Sequence, residues 1–190
     1  MSNSVEANVV DDTEVLKTLP NRFPHMDHEF IEFRKSDIHH MGGFAKKDIP
    51  VGTRIIEYIG EKLSIDECGK REEERLKLSK TDPSKGSVYM FILDDKWAID
   101  GDVPENDAKN INHSCDPNAE IDIVEGHVYI VSIKAIKKGE EVTYNYGFDI
   151  EDFEHYPCRC GSKRCVGYIL DEEEWPKLKE KLKMVTHHRS

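Results

Sequence analysis

Three cysteines, Cys158, Cys160 and Cys165, fall within eight residues around Gly161. Thiols at that spacing, with a glycine to turn the chain, can wrap a single ion. Structural zinc asks for four ligands in a tetrahedron, so a fourth is missing from the trio; Cys115 and Cys68 are the remaining thiols. A second cluster, Asn112-His113-Ser114-Cys115-Asp116-Pro117-Asn118, packs an amide, an imidazole, a hydroxyl and a thiol ahead of an Asp-Pro turn. Such groups can hold a polar ligand, or simply satisfy a turn rich in hydrogen bonds. A third, Gly139-Glu140-Glu141-Val142-Thr143-Tyr144-Asn145-Tyr146-Gly147, places two tyrosines two residues apart. On an extended chain they share a face and can line a pocket with apolar walls and polar tips. A fourth, Ile38-His39-His40-Met41-Gly42-Gly43-Phe44-Ala45, carries paired glycines that let backbone approach a ligand or turn tightly.

The elements that must position these groups are short. Phe30, Ile31 and Phe33 predict a strand, as does Arg54-Ile55-Ile56-Glu57-Tyr58-Ile59 after the turn residues Pro50 to Thr53. Ser64 with Glu67 forms a capping box that starts a charged helix running to Ser79. Thr81 to Ser87 reads as a loop. Val88–Leu93 and Trp97–Ile99 read as strands around Asp94-Asp95, and Ile121–Val124 and Val128–Ile133 flank Glu125-Gly126 as a hairpin. Residues Asp171 to Val185 predict a helix, with acids first, lysines later and Leu178 and Leu182 at i, i+4. Residues 1–26 are polar and without periodicity and predict a flexible tail.

The chain has 190 residues and a formal charge of −11. That length predicts about one domain with its own core, and the acidity argues against direct nucleic-acid binding and favours basic partners. No apolar run suits a membrane span or a signal peptide, so the expectation is an intracellular protein away from membranes; the sequence does not give the oligomeric state, with a monomer favoured. An odd cysteine count in such a protein argues for metal over disulfides.

Taken in order, the four segments resemble the SET-domain protein-lysine methyltransferases. Asn112-His113-Ser114-Cys115 with Pro117-Asn118 resembles the family's N-H-S-C-x-P-N motif, and Gly139 to Gly147 its G-E-E-L-T-Y-D-Y-G motif. Cys158-Arg159-Cys160-Gly161 through Cys165 resembles the post-SET C-x-C-G-x-x-x-C. Ile38 to Ala45, with Glu57-Tyr58-Ile59-Gly60-Glu61, is similar to the cofactor turn and first strands, and Val88-Tyr89-Met90-Phe91 to the strand before the N-H-S-C motif. The likeness covers about residues 27 to 170. His40 stands where the family usually has the first glycine of G-x-G. Glu105-Asn106-Asp107-Ala108-Lys109-Asn110 replaces the family's Gly-Asn and Arg-Phe, and Val103-Pro104 offers no match for an upstream tyrosine.

The resemblance implies a mainly β, β-rich α+β SET fold: small sheets around a knot-like crossing of the N-H-S-C and Tyr-x-Tyr segments. It implies a SET domain over 27–157 with an insert at about 64–87, a post-SET zinc loop over 158–170 and a C-terminal helix over 171–190. It implies methyl transfer from S-adenosylmethionine to a lysine of a histone tail or another basic protein. By resemblance, Tyr146 is the catalytic tyrosine, Tyr144 sets product specificity toward mono- or dimethylation, and Tyr58 and Tyr89 line the lysine channel. Met41, Gly42, Asn112 and His113 contact the cofactor. Cys115 joins Cys158, Cys160 and Cys165 around Zn2+, leaving Cys68 over. The nucleus or chromatin is the expected location in a eukaryote, the cytoplasm in a bacterium. The competing reading is an inactive zinc-stapled SET-like module that grips lysine-rich peptides.

Overall fold

Short strands, several of them rich in β-branched and aromatic residues, build the computed structural model, which describes residues 28–79, 89–151 and 153–187. The strands are β1 (Ile31–Lys35), β2 (Met41–Ala45), β3 (Arg54–Tyr58), β4 (Glu61–Ser64), β5 (Met90–Ile92), β6 (Trp97–Asp100), β7 (Asn112–His113), β8 (Ala119–Val124), β9 (His127–Ser132) and β10 (Glu141–Tyr144). The helices are α1 (Ile65–Ser79) and α2 (Trp175–His187). They form three small sheets, in the orders β1-β2-β10-β7, β3-β9-β8 and β4-β6-β5. Every pairing is antiparallel except β7 with β10, which is parallel, Asn112 opposite Thr143 and His113 opposite Tyr144. The mainly β architecture in several small sheets is the one expected from the sequence.

Local chemistry explains the elements. Glu125 and Gly126 adopt φ of 53° and 82°, so the β8–β9 hairpin closes on two left-handed residues that match the right-handed twist of its strands. The Ser64 hydroxyl accepts the Glu67 N–H at 3.3 Å, capping α1, and Asp66 and Glu67 occupy its positive end. At the C-terminal end the structure departs from a helix starting at Asp171. A 3₁₀ turn spans Glu172–Glu174, capped by Asp171 accepting from the Glu173 N–H at 2.8 Å, and α2 begins only at Trp175. Pro176 is the reason: without an N–H it fits only the first turn of an α-helix. Residues 1–26 and the loop expected at Thr81–Ser87 lie outside the described residues, as do the ends of the expected insert and C-terminal helix.

The main core is made by Ile31, Phe33, Ile111, Val128, Ile130 and Val142, all fully enclosed between the first two sheets. Each such side chain contributes about 1.5–3 kcal/mol by leaving water. A second cluster of Phe153, Leu170 and Leu178 seats α2 against the segment that follows β10. Among the described residues, no helix is long and apolar enough to cross a membrane.

Candidate active site and metal centre

The parallel β7–β10 pair brings the second and third sequence clusters side by side, and β2 runs along the other edge of β10. Asn112 ties the three strands together. Its amide donates to the Glu141 carboxylate at 2.7 Å and to the Met41 carbonyl at 2.9 Å, with a longer contact to the His39 carbonyl at 3.4 Å. Glu141 also accepts the Ser36 hydroxyl at 2.8 and 2.9 Å. Burial raises the Glu141 carboxyl above its ordinary value, against the lowering effect of these neutral donors. A Cβ at Gly42 would run into the Glu141 carboxylate and stand 3.0 Å from the Ser36 Cβ, so the backbone passes here only as glycine. His40 takes a positive φ of 27°. The backbone there is thus of the kind that favours the family's glycine.

Met41 and Gly42 on β2 and Asn112 and His113 on β7 thus flank β10 from its two edges, joined by the Asn112 side chain. Two carbonyl oxygens, a carboxylate and nearby phenol rings form an electron-rich neighbourhood, which fits a sulfonium cation.

Tyr58, Tyr89, Tyr144 and Tyr146 line one cavity of ≈ 40 Å³, joined by Met90, Phe91, Lys109 and Phe148. That is room for roughly three water-sized spheres. The Tyr144 and Tyr146 rings stand 4.9 Å apart, and Phe91 meets Tyr58 edge-on at 4.6 Å. The Tyr146 hydroxyl donates to the Ile111 carbonyl at 2.9 Å, and the Tyr58 hydroxyl to the Tyr89 carbonyl at 3.0 Å. With those protons committed to the main chain, the phenol oxygens keep lone pairs for a further donor. Burial, reinforced by the neighbouring phenols, pushes Tyr58, Tyr144 and Tyr146 well above the ordinary tyrosine value. The hydroxyls stay neutral at pH 7, so they can orient a nitrogen but not act as phenolate bases.

Phe148 was not anticipated, though it continues the alternation of Tyr144 and Tyr146 by one more step. Lys109, which sits 5.6 Å over the Tyr89 ring and donates to the Val103 carbonyl at 3.0 Å, gave no sequence signal. Glu141 lay inside a quoted motif without a role.

The sulfur atoms of Cys115, Cys158, Cys160 and Cys165 all lie within 4.8 Å of one another, with Cys115 and Cys158 3.7 Å apart. A tetrahedron with Zn–S bonds of about 2.3 Å has edges of about 3.8 Å, so the set fits Zn2+. Backbone N–H groups already point at these sulfurs: Cys115 to Cys160 and Cys160 to Cys158, each at 3.5 Å. Gly161 and Gly167, at φ of 66° and 88°, make the turns that fold the loop on itself. Burial pushes the Cys115 thiol up to about 11, and Cys160 and Cys165 push the same way. Holding Cys115 as a thiolate in this place therefore takes a nearby cation. Cys115, not Cys68, completes the trio; Cys68 is buried on α1.

His113 stands between the two centres. Its Nε2 is 3.5 Å from the Cys115 sulfur, its Nδ1 accepts the Tyr146 N–H at 3.2 Å, and its ring meets the Tyr146 ring edge-on at 5.4 Å.

Comparison with known proteins agrees with this arrangement. Residues 40–147 match the family model described as the SET domain. The chain is 38% identical over 146 residues to histone-lysine N-methyltransferase trithorax of Drosophila virilis, covering 74% of the chain and 4% of that protein. It is 39% identical over 157 residues to histone-lysine N-methyltransferase 2B of Homo sapiens, covering 78% and 6%. It is 37% identical over 145 residues to an H3 lysine-4 specific histone-lysine N-methyltransferase of Aspergillus oryzae, covering 73% and 11%. The chain thus spans only a small part of these relatives' length. With more than half of its residues matched in motif order, and the matched segments meeting at one cavity, the chain belongs to the SET-domain family.

Proposed function

We propose that this protein is a protein-lysine N-methyltransferase that uses S-adenosylmethionine, with a zinc-stapled loop over residues 158–170 beside the catalytic domain. The observation that carries the reading is the narrow cavity walled by four tyrosines, adjacent to the strands that hold Asn112, Met41 and Gly42. S-adenosylmethionine, held by Met41, Gly42, Asn112 and His113, would supply an electrophilic methyl group and a positive charge. The lysine amine must be neutral to attack, and its free pKa is about 10.4. An enclosed cavity lined by rings disfavours the ammonium form. The lone pairs of Tyr58 and Tyr146 accept the amine N–H groups and aim the nitrogen lone pair. Alignment then supplies much of the rate. Tyr144, wholly enclosed and facing Tyr146, crowds the space that a second or third methyl would need, which favours mono- or dimethylation. Cys115, Cys158, Cys160 and Cys165 hold Zn2+ and pin the loop.

The substrate is a basic protein, which the charge of −11 attracts. A histone H3 tail is the first to offer, because the Aspergillus relative is named for H3 lysine 4. That substrate places the protein in the nucleus, at chromatin. The test is transfer of labelled methyl from S-adenosylmethionine to core histones and H3 peptides, with mass spectrometry of the product. Tyr146→Phe is expected to lower the rate at least about 100-fold, the scale of a misaligned reacting pair, with cofactor binding retained. Tyr144→Phe shifts the product toward higher methylation. A folded, cofactor-binding protein that captures H3 peptides without methylating them would establish the binding-module reading instead.

A further inference from the structure

We propose that His113 is a positioning residue that joins the cysteine metal centre to Tyr146 through two hydrogen bonds of opposite polarity. The inference rests on the reading above, that the four cysteines hold zinc and that Tyr146 orients the amine. The polarity follows from the geometry. A backbone N–H can only donate, so the Tyr146 N–H at 3.2 Å fixes Nδ1 as the acceptor. In a neutral ring the proton then sits on Nε2, 3.5 Å from the Cys115 sulfur. A thiolate bound to zinc keeps enough charge to accept that N–H, and such outer contacts orient metal ligands and tune their affinity.

The chain path explains why Tyr146 needs this contact. The β7–β10 register ends at His113 and Tyr144. Beyond it the chain leaves the sheet, and the Tyr146 amide pairs with an imidazole instead of a strand partner. The other end of the same residue, its hydroxyl, is held by the Ile111 carbonyl at 2.9 Å. Both ends of Tyr146 are therefore fixed by residues 111–113, and the fixing side chain leans on a zinc ligand. His113 is almost fully buried, so water does not replace either bond. A shift of Cys115 on metal loss is transmitted to the tyrosine through one ring.

Two substitutions separate the two bonds. His113→Asn places an amide oxygen near the Nδ1 position and keeps the acceptor, but offers nothing to Cys115. His113→Gln reaches the Nε2 position with a donor and leaves the Tyr146 N–H without its partner. His113→Asn is expected to lower zinc affinity by about 10–100-fold, the scale of an outer-shell loss. His113→Gln is expected to keep zinc affinity within a few fold. Both lower kcat at least about tenfold, over and above any rise in KM for S-adenosylmethionine that follows from altering a cofactor contact.

On the wild-type protein loaded with ¹¹³Cd and labelled with [¹⁵N]histidine, long-range proton–nitrogen spectra are expected to show His113 protonated on Nε2 only. A through-bond coupling from that proton to the metal is also expected. A ring protonated on Nδ1, unchanged zinc affinity in both variants, or a raised cofactor KM at constant kcat overturns the proposal. So does a protein that binds no metal at the cysteines. If the wild type methylates no substrate, the methyltransferase reading falls alone, and the spectra and zinc affinities still decide the role of His113. If the variants fail to fold, the wild-type spectra alone decide it.

Discussion

Asp100, on the insert side of the cavity, is a buried carboxylate and Glu141, on the β2–β10 side, a half-buried one, and they titrate in opposite directions. Burial pushes each one up. At Asp100 the Asp102 N–H at 3.1 Å and the guanidinium groups of Arg71 and Arg75, at 3.0 and 2.9 Å, outweigh burial and hold the carboxyl below its ordinary value. At Glu141 the donors are a neutral hydroxyl and a neutral amide, Ser36 and Asn112, and burial wins. One wall of the site is thus fixed by charge pairing, the other by neutral hydrogen bonds and the parallel strand pair. The charged wall reaches the channel through Gly101, whose N–H donates to the Tyr89 carbonyl at 2.8 Å, the same oxygen that accepts the Tyr58 hydroxyl. The same functional group does different work according to its partners, and the two walls will fail under different stresses.

The largest expected contrast is Asp100→Asn against Glu141→Gln. Removing one partner of a fully buried ion pair costs about 3–5 kcal/mol, and the 20–30% exposure of the two guanidinium groups reduces this to about 2–3 kcal/mol. For a chain of this size that lowers Tm by roughly 5–10 °C. Glu141→Gln keeps an oxygen for Asn112 and an NH₂ that the Ser36 hydroxyl can accept, so its cost stays within about 1 kcal/mol. Thermal melts of the two variants measure this; equal losses would abolish the distinction between the walls.

A pair of glycines sharpens the same comparison with a smaller effect. Gly101→Ala drives a Cβ into the Tyr58 ring, which is buried and cannot yield, while Gly42→Ala drives one into the Glu141 carboxylate. Each overpacking costs about 1–3 kcal/mol. The kinetic signatures divide: the first raises KM for the peptide, the second KM for S-adenosylmethionine. Steady-state kinetics with each substrate varied in turn checks it. A peptide KM raised by the Gly42 variant would place the lysine channel on the wrong wall.

The wall built from Asn112, Tyr144 and Tyr146 was largely legible in the sequence, and the wall built on Asp100 was not. Local chemistry is written locally. Ser64 with Glu67, Glu125-Gly126 and the Cys158–Cys165 loop each carry their instruction within ten residues, and each folds as that instruction says. Pro176, which sets the start of α2 at Trp175, is equally local, but the acids at 171–174 carry the charge of a helix start without making the first turn of α2. Asp100 with Arg71 and Arg75 links residues 25 to 29 positions apart, across a helix and a strand. In a chain with 65 charged residues no periodicity distinguishes those three. The two-residue strand β7 likewise exists only because β10 runs beside it. Glu141 shows the intermediate case: its motif was visible, but its task depends on Ser36, 105 positions away.

The smallest effect is also the one that tests the physics of the contrast, because it predicts two slopes of opposite sign. Asp100 has a folded pKa below the 3.8 of an ordinary aspartate. Its contribution to stability is fully present above pH 3.8 and disappears as pH falls through the lowered folded value. Glu141 has a folded pKa above the ordinary 4.5. Its contribution is fully present below pH 4.5, where the buried group keeps its proton, and is lost as pH rises through the raised folded value. Urea unfolding between pH 3 and pH 7 should therefore show the gap between wild type and Asp100→Asn closing toward acid. Over the same range Glu141→Gln should gain on the wild type as pH rises, since glutamine never ionises. The two slopes fall in separate windows, below pH 3.8 and above pH 4.5, among the titrations of the other carboxyls, so comparison with the variants is what isolates each. If the two gaps move in the same direction with pH, burial rather than partner charge governs both carboxylates, and the division of the site into a charged wall and a neutral wall fails.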